Sequence, residues 1–222
     1  MKEIVVAGNS SAAALLNEYI EYDLRYRIVA FAVDREYIRE KSFLNRPVIS
    51  LEEIATEYPS SSFSVLLGIG YSDLNRTRER LFSRLKEYGY TLETYIHPDA
   101  KIYSSNIGEG SIVLANAFID VHACIGENTV VWSNSSICHH AKIGSNCWLA
   151  TGSIVSADAE IDDNSFVGVG ATVVNKVHVG KYNIIGAGAF IAKNTQDYGV
   201  YINRQTEKFR LSAEEYLRFA KL

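Results

Sequence analysis

The stretch IGEGSIVLANAFIDVHACI, residues 107–125, places an aliphatic side chain at every sixth position: Ile107, Val113, Ile119 and Ile125. The step continues through Val131, Ile137, Ile143, Leu149, Val155, Ile161, Val167, Val173, Val179, Ile185 and Ile191, which makes fifteen in succession. If a third of positions were aliphatic by chance, such a run would arise on the order of once in ten million trials. Four residues beyond most of these aliphatics sits a small side chain: Ser111, Ala117, Ala123, Thr129, Ser135, Ala141, Cys147, Ser153, Ala159, Ser165, Ala171 and Ala189. One position earlier stand turn formers, namely Gly110, Asn116, Asn128, Asn134, Asn146, Gly152, Asp158, Asn164, Gly170, Gly188 and Asn194. Gly, Asn and Asp are the residues that tolerate positive φ. Each hexad is therefore a short strand with an inward aliphatic, closed by a left-handed corner with a small inward side chain. Three hexads form one triangular coil, so residues eighteen apart stack at the spacing of paired strands, about 4.7–4.9 Å. The spacing predicts a left-handed parallel β-helix over residues 97–200.

Upstream the period is different. Ile4–Ala7, Tyr26–Val33, Pro47–Ile49, Phe63–Ile69 and Thr91–Ile96 read as strands, separated by helical patterns at Ala12–Tyr22, Leu51–Glu57 and Asn75–Tyr88. Ser50 with Glu53 reads as a capping box for the second helix. Strands alternating with helices imply a small parallel sheet, so residues 1–96 are expected to form a Rossmann-like domain, an α/β unit ahead of the all-β prism. Residues 201–222 form a C-terminal extension, in which Ser212-Ala213-Glu214-Glu215 opens a short helix that covers the prism end or serves a subunit contact.

Composition excludes several classes. A formal net charge of −4 with scattered Lys and Arg leaves no basic stripe for nucleic acid. No apolar run approaches the roughly 20 residues of a membrane span, and the start lacks a cationic segment with a cleavage site, so a cytoplasmic chain is expected. The three cysteines, Cys124, Cys138 and Cys147, follow neither a disulfide nor a CxxC pattern.

Histidine is scarce, and His139 and His140 are adjacent in Ser135-Ser136-Ile137-Cys138-His139-His140-Ala141, two and three residues past a hexad aliphatic, hence on a prism corner. His140 lies eighteen residues after His122, so those imidazoles should stack. A neutral imidazole is suited to take a proton near neutral pH. Stacked imidazoles also suit a metal, although only two ligands line up and no metal is expected. The plain alternative for both is a pair of solvated corner residues. Gly168-Val169-Gly170-Ala171 and Gly186-Ala187-Gly188-Ala189 stack eighteen apart and leave a shallow groove; the alternative is that these glycines only permit tight corners. Gly8, Asn9 and Ser10 follow the first strand, where helix-start amides receive phosphate, and Asp34 follows the second, where it can accept from a ribose or uracil donor.

The order of parts, a nucleotide fold, a Tyr-Ile-His-Pro junction at Tyr95–Pro98 and then unbroken hexads, resembles the sialic-acid O-acetyltransferase (NeuD/PglD-like) family, which includes N-acetyltransferases of UDP-linked bacterial amino sugars. The resemblance implies a homotrimer with active sites between prisms, acetyl-CoA as cosubstrate along the C-terminal coils, and a nucleotide-linked amino or deoxy sugar held by the first domain. It implies that His139 is the catalytic base and that the Ala157 amide, one coil later, holds the oxyanion. The chain departs from the family pattern at several points. His140 and Cys138 flank the base where acidic residues are usual, Trp148 replaces a histidine near the acetyl group of the cofactor, Trp132 replaces an asparagine, and Ile202–Thr206 replaces Gly-x-Pro-Ala. Two rival readings stand beside the acetyltransferase: a non-catalytic sugar-binding or scaffold trimer, and a zinc-dependent hydratase of the carbonic-anhydrase kind.

Overall fold

A computed structural model describes residues 1–220. The first part is a five-stranded sheet built from β1 (Lys2–Ala7), β2 (Tyr26–Val33), β3 (Ser42–Phe43), β4 (Arg46–Ser50) and β5 (Ser64–Leu67), in the order β3-β4-β2-β1-β5. All pairings are parallel except the β3–β4 hairpin. Helices α1 (Ser11–Tyr22) and α2 (Ile54–Glu57) connect these strands, and α3 (Arg76–Glu87) follows β5. β1 lies between β2 and β5, so strand order reverses beside it, the place where open α/β sheets hold ligands.

The capping box expected at Ser50 does not form. Ser50 ends β4 and its Oγ accepts the Glu52 N–H at 3.2 Å, while α2 begins only at Ile54 with Glu53 at its cap. The sheet holds Ser50 extended, since the Leu51 N–H bonds the Val33 carbonyl, and tertiary pairing overrides the local signal. At the other end of the chain the reciprocal box is present. The Ser212 N–H donates to Glu215 at 2.8 Å and the Glu215 N–H to Ser212 Oγ at 3.2 Å, opening α4 (Ala213–Ala220), in which no residue is buried.

The rest is a left-handed parallel β-helix of two-residue strands whose three faces carry seven, six and four strands. Partners stand eighteen apart, as in Val113↔Val131↔Leu149↔Val167↔Ile185. Of the fifteen aliphatics every one after Ile107 is buried, and Ile107 packs against the same cluster. The corner rule also holds: every sixth residue from Gly110 to Gly188 has positive φ, including His122, His140, Lys176 and Tyr182. Inward hydroxyls at Ser111, Thr129, Ser135 and Ser165 donate to a carbonyl of the coil above at 2.8–3.0 Å, so these hydroxyls sit in the core with their donors satisfied.

One corner differs from expectation. Asn194 is not left-handed; the positive φ falls at Tyr198, because the last coil is two residues short and pairs Ile185 with Tyr201. Asn194 instead accepts the His178 N–H on its side chain at 2.9 Å.

The two parts share a core. Leu92 bridges to Val65 of the first sheet, and three residues later Tyr95–Ile96 pairs with Ile112–Val113 of the prism. Tyr95, fully buried, joins Ile4, Val6, Leu16 and Phe31 of the first part to Ile112, Leu114, Val130 and Trp148 of the prism.

Candidate active site

His139 and His140 are exposed on one prism corner, their Nδ1 atoms 3.1 Å apart with the rings edge to face. One of the two nitrogens must carry the proton of that bond; with it on His139, the His139 Nε2 is left free to accept. His140 also lies against His122 at 4.8 Å between centroids and 35°, as the eighteen-residue spacing predicts. One coil on, the Asp158 N–H bonds the His139 carbonyl at 3.2 Å, which aligns the rung bearing Ala157 with that bearing His139. Among the described residues the Ala157 N–H has no acceptor, and its residue is half-buried. A proton acceptor and a spare main-chain donor thus occupy adjacent rungs of one corner.

Cys138 and Cys147 are poor nucleophiles. Burial pushes Cys147 up to about 12, and burial followed by the charge of Asp120 raises Cys138. Among the described residues no group of three or more His, Cys, Asp or Glu is placed to hold a metal ion. No described helix is long and apolar enough to cross a membrane.

The glycines lie elsewhere. Gly168 and Gly186 belong to one corner and Cys138 to His140 to another, so a single chain does not unite them. A Cβ on Gly168 would stand 2.7 Å from Gly186 C and Ala187 N, so close coil stacking alone requires that glycine. Gly188 is overlain by Asn203, whose side-chain amide donates to the Gly188 carbonyl at 2.9 Å. Gly170 faces open space. Trp148 is not at the histidine corner but buried in the seam between the two parts, 5.2 Å from the Tyr71 ring and 5.6 Å from that of Trp132.

In the first part Gly8, Asn9, Ser10 and Asp34 all line one cavity of about 470 Å³ at the strand reversal. Gly8 has φ 126°, and a Cβ there would stand 2.5 Å from the Gly68 carbonyl oxygen, so the loops after β1 and β5 meet only because no side chain intervenes. Two cations on this wall, Arg80 and Arg84, escaped the sequence reading. The signal was the four-residue step Arg76, Arg80, Arg84 on α3, which puts three guanidinium groups on one helix face. Arg84 is ion-paired to Asp34 and lies 3.5 Å from Glu52, so one Asp34 oxygen is already engaged.

No protein-family model and no curated protein sequence matches the chain. Solved structures do. The acetyltransferase domain of PglB from Neisseria gonorrhoeae, known also in complex with acetyl coenzyme A, is 25% identical with a TM-score of 0.80, covering 90% of this chain and 96% of that one. PerB from Caulobacter crescentus, in complex with CoA and GDP-perosamine, is 24% identical with a TM-score of 0.79 over 90% and 93% of the two chains. WeeI from Acinetobacter baumannii shares 18% identity with a TM-score of 0.61 over 90% and 96%. The fold therefore places the chain in the class of β-helix acetyltransferases fronted by a nucleotide-fold domain. Within that class, the likeness to the sialic-acid O-acetyltransferase (NeuD/PglD-like) family read from the sequence holds in three dimensions across nine-tenths of the chain.

Proposed function

We propose that this chain is an acetyl-CoA-dependent acetyltransferase acting on an amino or hydroxyl group of a nucleotide-linked sugar, in the synthesis of surface glycans. The observation that carries the reading is the corner at which an exposed imidazole pair adjoins a main-chain N–H without an acceptor, on the fold of a domain that binds acetyl coenzyme A. The nucleotide sits in the first domain, residues 1–96, with the Asn9 and Ser10 amides and the cations Arg80 and Arg84 toward its phosphates, while the Gly8 N–H is held by the Ala32 carbonyl at 2.8 Å. The prism, residues 97–200, supplies the chemistry.

His139 Nε2 removes a proton as the sugar nitrogen or oxygen attacks the thioester carbonyl carbon. The Ala157 N–H stabilises the oxyanion. The C–S bond then breaks, and the CoA thiolate recovers the proton from His139. Direct transfer suits a site whose thiols at Cys138 and Cys147 are held protonated. The glycine corner lies on a different edge of the prism from His139, so a cleft completed by a neighbouring copy, in a homotrimer, brings Gly170 and Gly188 of one chain to His139 of the next. Acetyl-CoA as the donor implies a cytoplasmic enzyme.

His140 stands where an acidic partner would, and acts as the positioning residue for His139. His140→Asn keeps a residue that tolerates φ near 60°, the angle found at Asn134 and Asn146 of equivalent corners. It is expected to lower kcat about tenfold, or about 1.4 kcal/mol, with KM for acetyl-CoA unchanged. His140→Glu puts a negative charge beside the ring, favours the imidazolium, and moves the acid limb of the kcat profile to higher pH. An unchanged profile in both variants removes His140 from the mechanism.

The class is tested by following CoA release with a thiol reagent over a panel of UDP-, dTDP- and GDP-linked amino sugars. Turnover with at least one is expected, and its absence with every donor and acceptor favours the scaffold reading. Arg84→Met should raise KM for the nucleotide sugar at least tenfold and leave KM for acetyl-CoA alone, measured by steady-state kinetics.

A further inference from the structure

The corner that carries His139 and His140 continues into the next coils as a column of titratable side chains. His122, His140, Asp158 and Lys176 stand eighteen residues apart and share one backbone conformation, with φ of 61°, 60°, 57° and 61°. The rungs repeat one bond: the His140 N–H donates to the Val121 carbonyl at 3.2 Å, the Asp158 N–H to that of His139 at 3.2 Å, and the Lys176 N–H to that of Ala157 at 3.1 Å. Asp158 therefore stands to His140 as His140 stands to His122, and the rings of those two lie 4.8 Å apart. Corner side chains at this step also hydrogen-bond where both can. Asn128, with φ 54°, donates through its amide to the Asn146 side chain, with φ 58°, at 2.7 Å. An Asp side chain has the same reach as an Asn.

Asp158 is exposed. Glu160 and Asp163 are paired across the eighteen-residue step with Lys142 and Lys181, at 2.6 and 3.0 Å, whereas among the described residues the Asp158 carboxylate and the Lys176 ammonium have no such partner. The imidazole pair offers that carboxylate a donor. With the His139 Nδ1–H donated to His140 Nδ1, neutral His140 carries its own proton on Nε2, an N–H with no acceptor in the protein.

We infer that Asp158 is a positioning residue for the base: its carboxylate accepts from His140 Nε2, holds the imidazole pair in one tautomer and favours the imidazolium formed when His139 takes the sugar's proton. The proton stays on His139 Nε2 until the thiolate recovers it, and Asp158 remains ionised throughout. The next coil thus supplies the acidic partner that the sequence lacks beside His139. This role rests on the reading of His139 as the base. The other titratable groups at the corner are His122 and Asp120 on the preceding rung, Cys138 on the same one, the Lys142–Glu160 pair on the adjoining face, and Lys176, which competes for the Asp158 carboxylate.

The test is an NMR titration of the full chain labelled with 15N-histidine, without substrate. Asp158→Asn keeps a residue that tolerates φ near 60°, as at Asn134 and Asn146, and removes the charge. The titration midpoints of His139 and His140 should fall by roughly 0.2–0.7 pH unit, the range of one exposed charge pair, and Lys176→Asn should raise them. The acid limb of the kcat profile should move in the same two directions. Asp158→Glu should restore the parent profile. In a His140→Asn background, Asp158→Asn should leave the profile where it was, because the carboxylate acts through His140. Unmoved midpoints in Asp158→Asn, or a profile shift as large in the His140→Asn background, would overturn the assignment. The NMR titration needs no turnover, so unmoved midpoints strike Asp158 alone, whereas a parent chain without acetyl transfer strikes the acetyltransferase reading.

Discussion

Replacing His139 by Asn is expected to reduce kcat by about 10²–10⁴-fold, the range set by loss of a positioned general base, with KM for acetyl-CoA close to its original value. The substitution removes the proton acceptor from an exposed corner while leaving Ile137 and Ala141, the inward residues of that hexad, untouched. Folding should therefore be preserved, and a Tm within about 2 °C of the parent would confirm that the loss is chemical. The variant also separates the rival readings. A scaffold has no turnover to lose, and a metal hydratase would show a parallel loss of bound zinc. Undiminished acetyl transfer in His139→Asn would end the account of the base.

Trp148→Ala is expected to act in the opposite way. Its indole is 5% exposed and wedged among Tyr71, Trp132 and the paired Phe166, so truncation leaves a void in the seam. Buried Trp to Ala changes cost about 3–5 kcal/mol, which for a chain of this size corresponds to a fall in Tm of roughly 10 °C. If the residue serves the seam, the protein that remains folded should bind acetyl-CoA with its usual affinity by calorimetry. A weakened cofactor with unchanged Tm would instead return Trp148 to the cofactor site that the family resemblance suggested for it.

How much of this was legible beforehand depends on the range of the interaction. The prism was, because each hexad states its inward aliphatic, its small corner residue and its turn former within six residues, and stacking merely repeats the statement. Even the His122–His140 stack follows from counting eighteen. The exceptions arise where a distant partner intervenes: Ser50 is drawn into strand pairing and cannot cap, and Asn194 loses its left-handed angle to a shortened final coil. Of the site, the loop Gly8–Ser10 and Asp34 could be read, since both follow strands of a recognisable sheet, whereas Arg84 could not be joined to Asp34 across fifty residues.

By itself, then, the sequence determined the repeat, its handed corners and the position of an imidazole pair on one of them, all consequences of local backbone preference and side-chain period. Only the tertiary structure decided that the two tryptophans pack in the seam between the two parts, that the glycine corner and the histidine corner occupy different edges, and that Arg78 is buried without a counter-charge. Those are facts of how one unit packs on another. Packing depends on shape and on which polar groups lose water together, and neither quantity has a period along the chain.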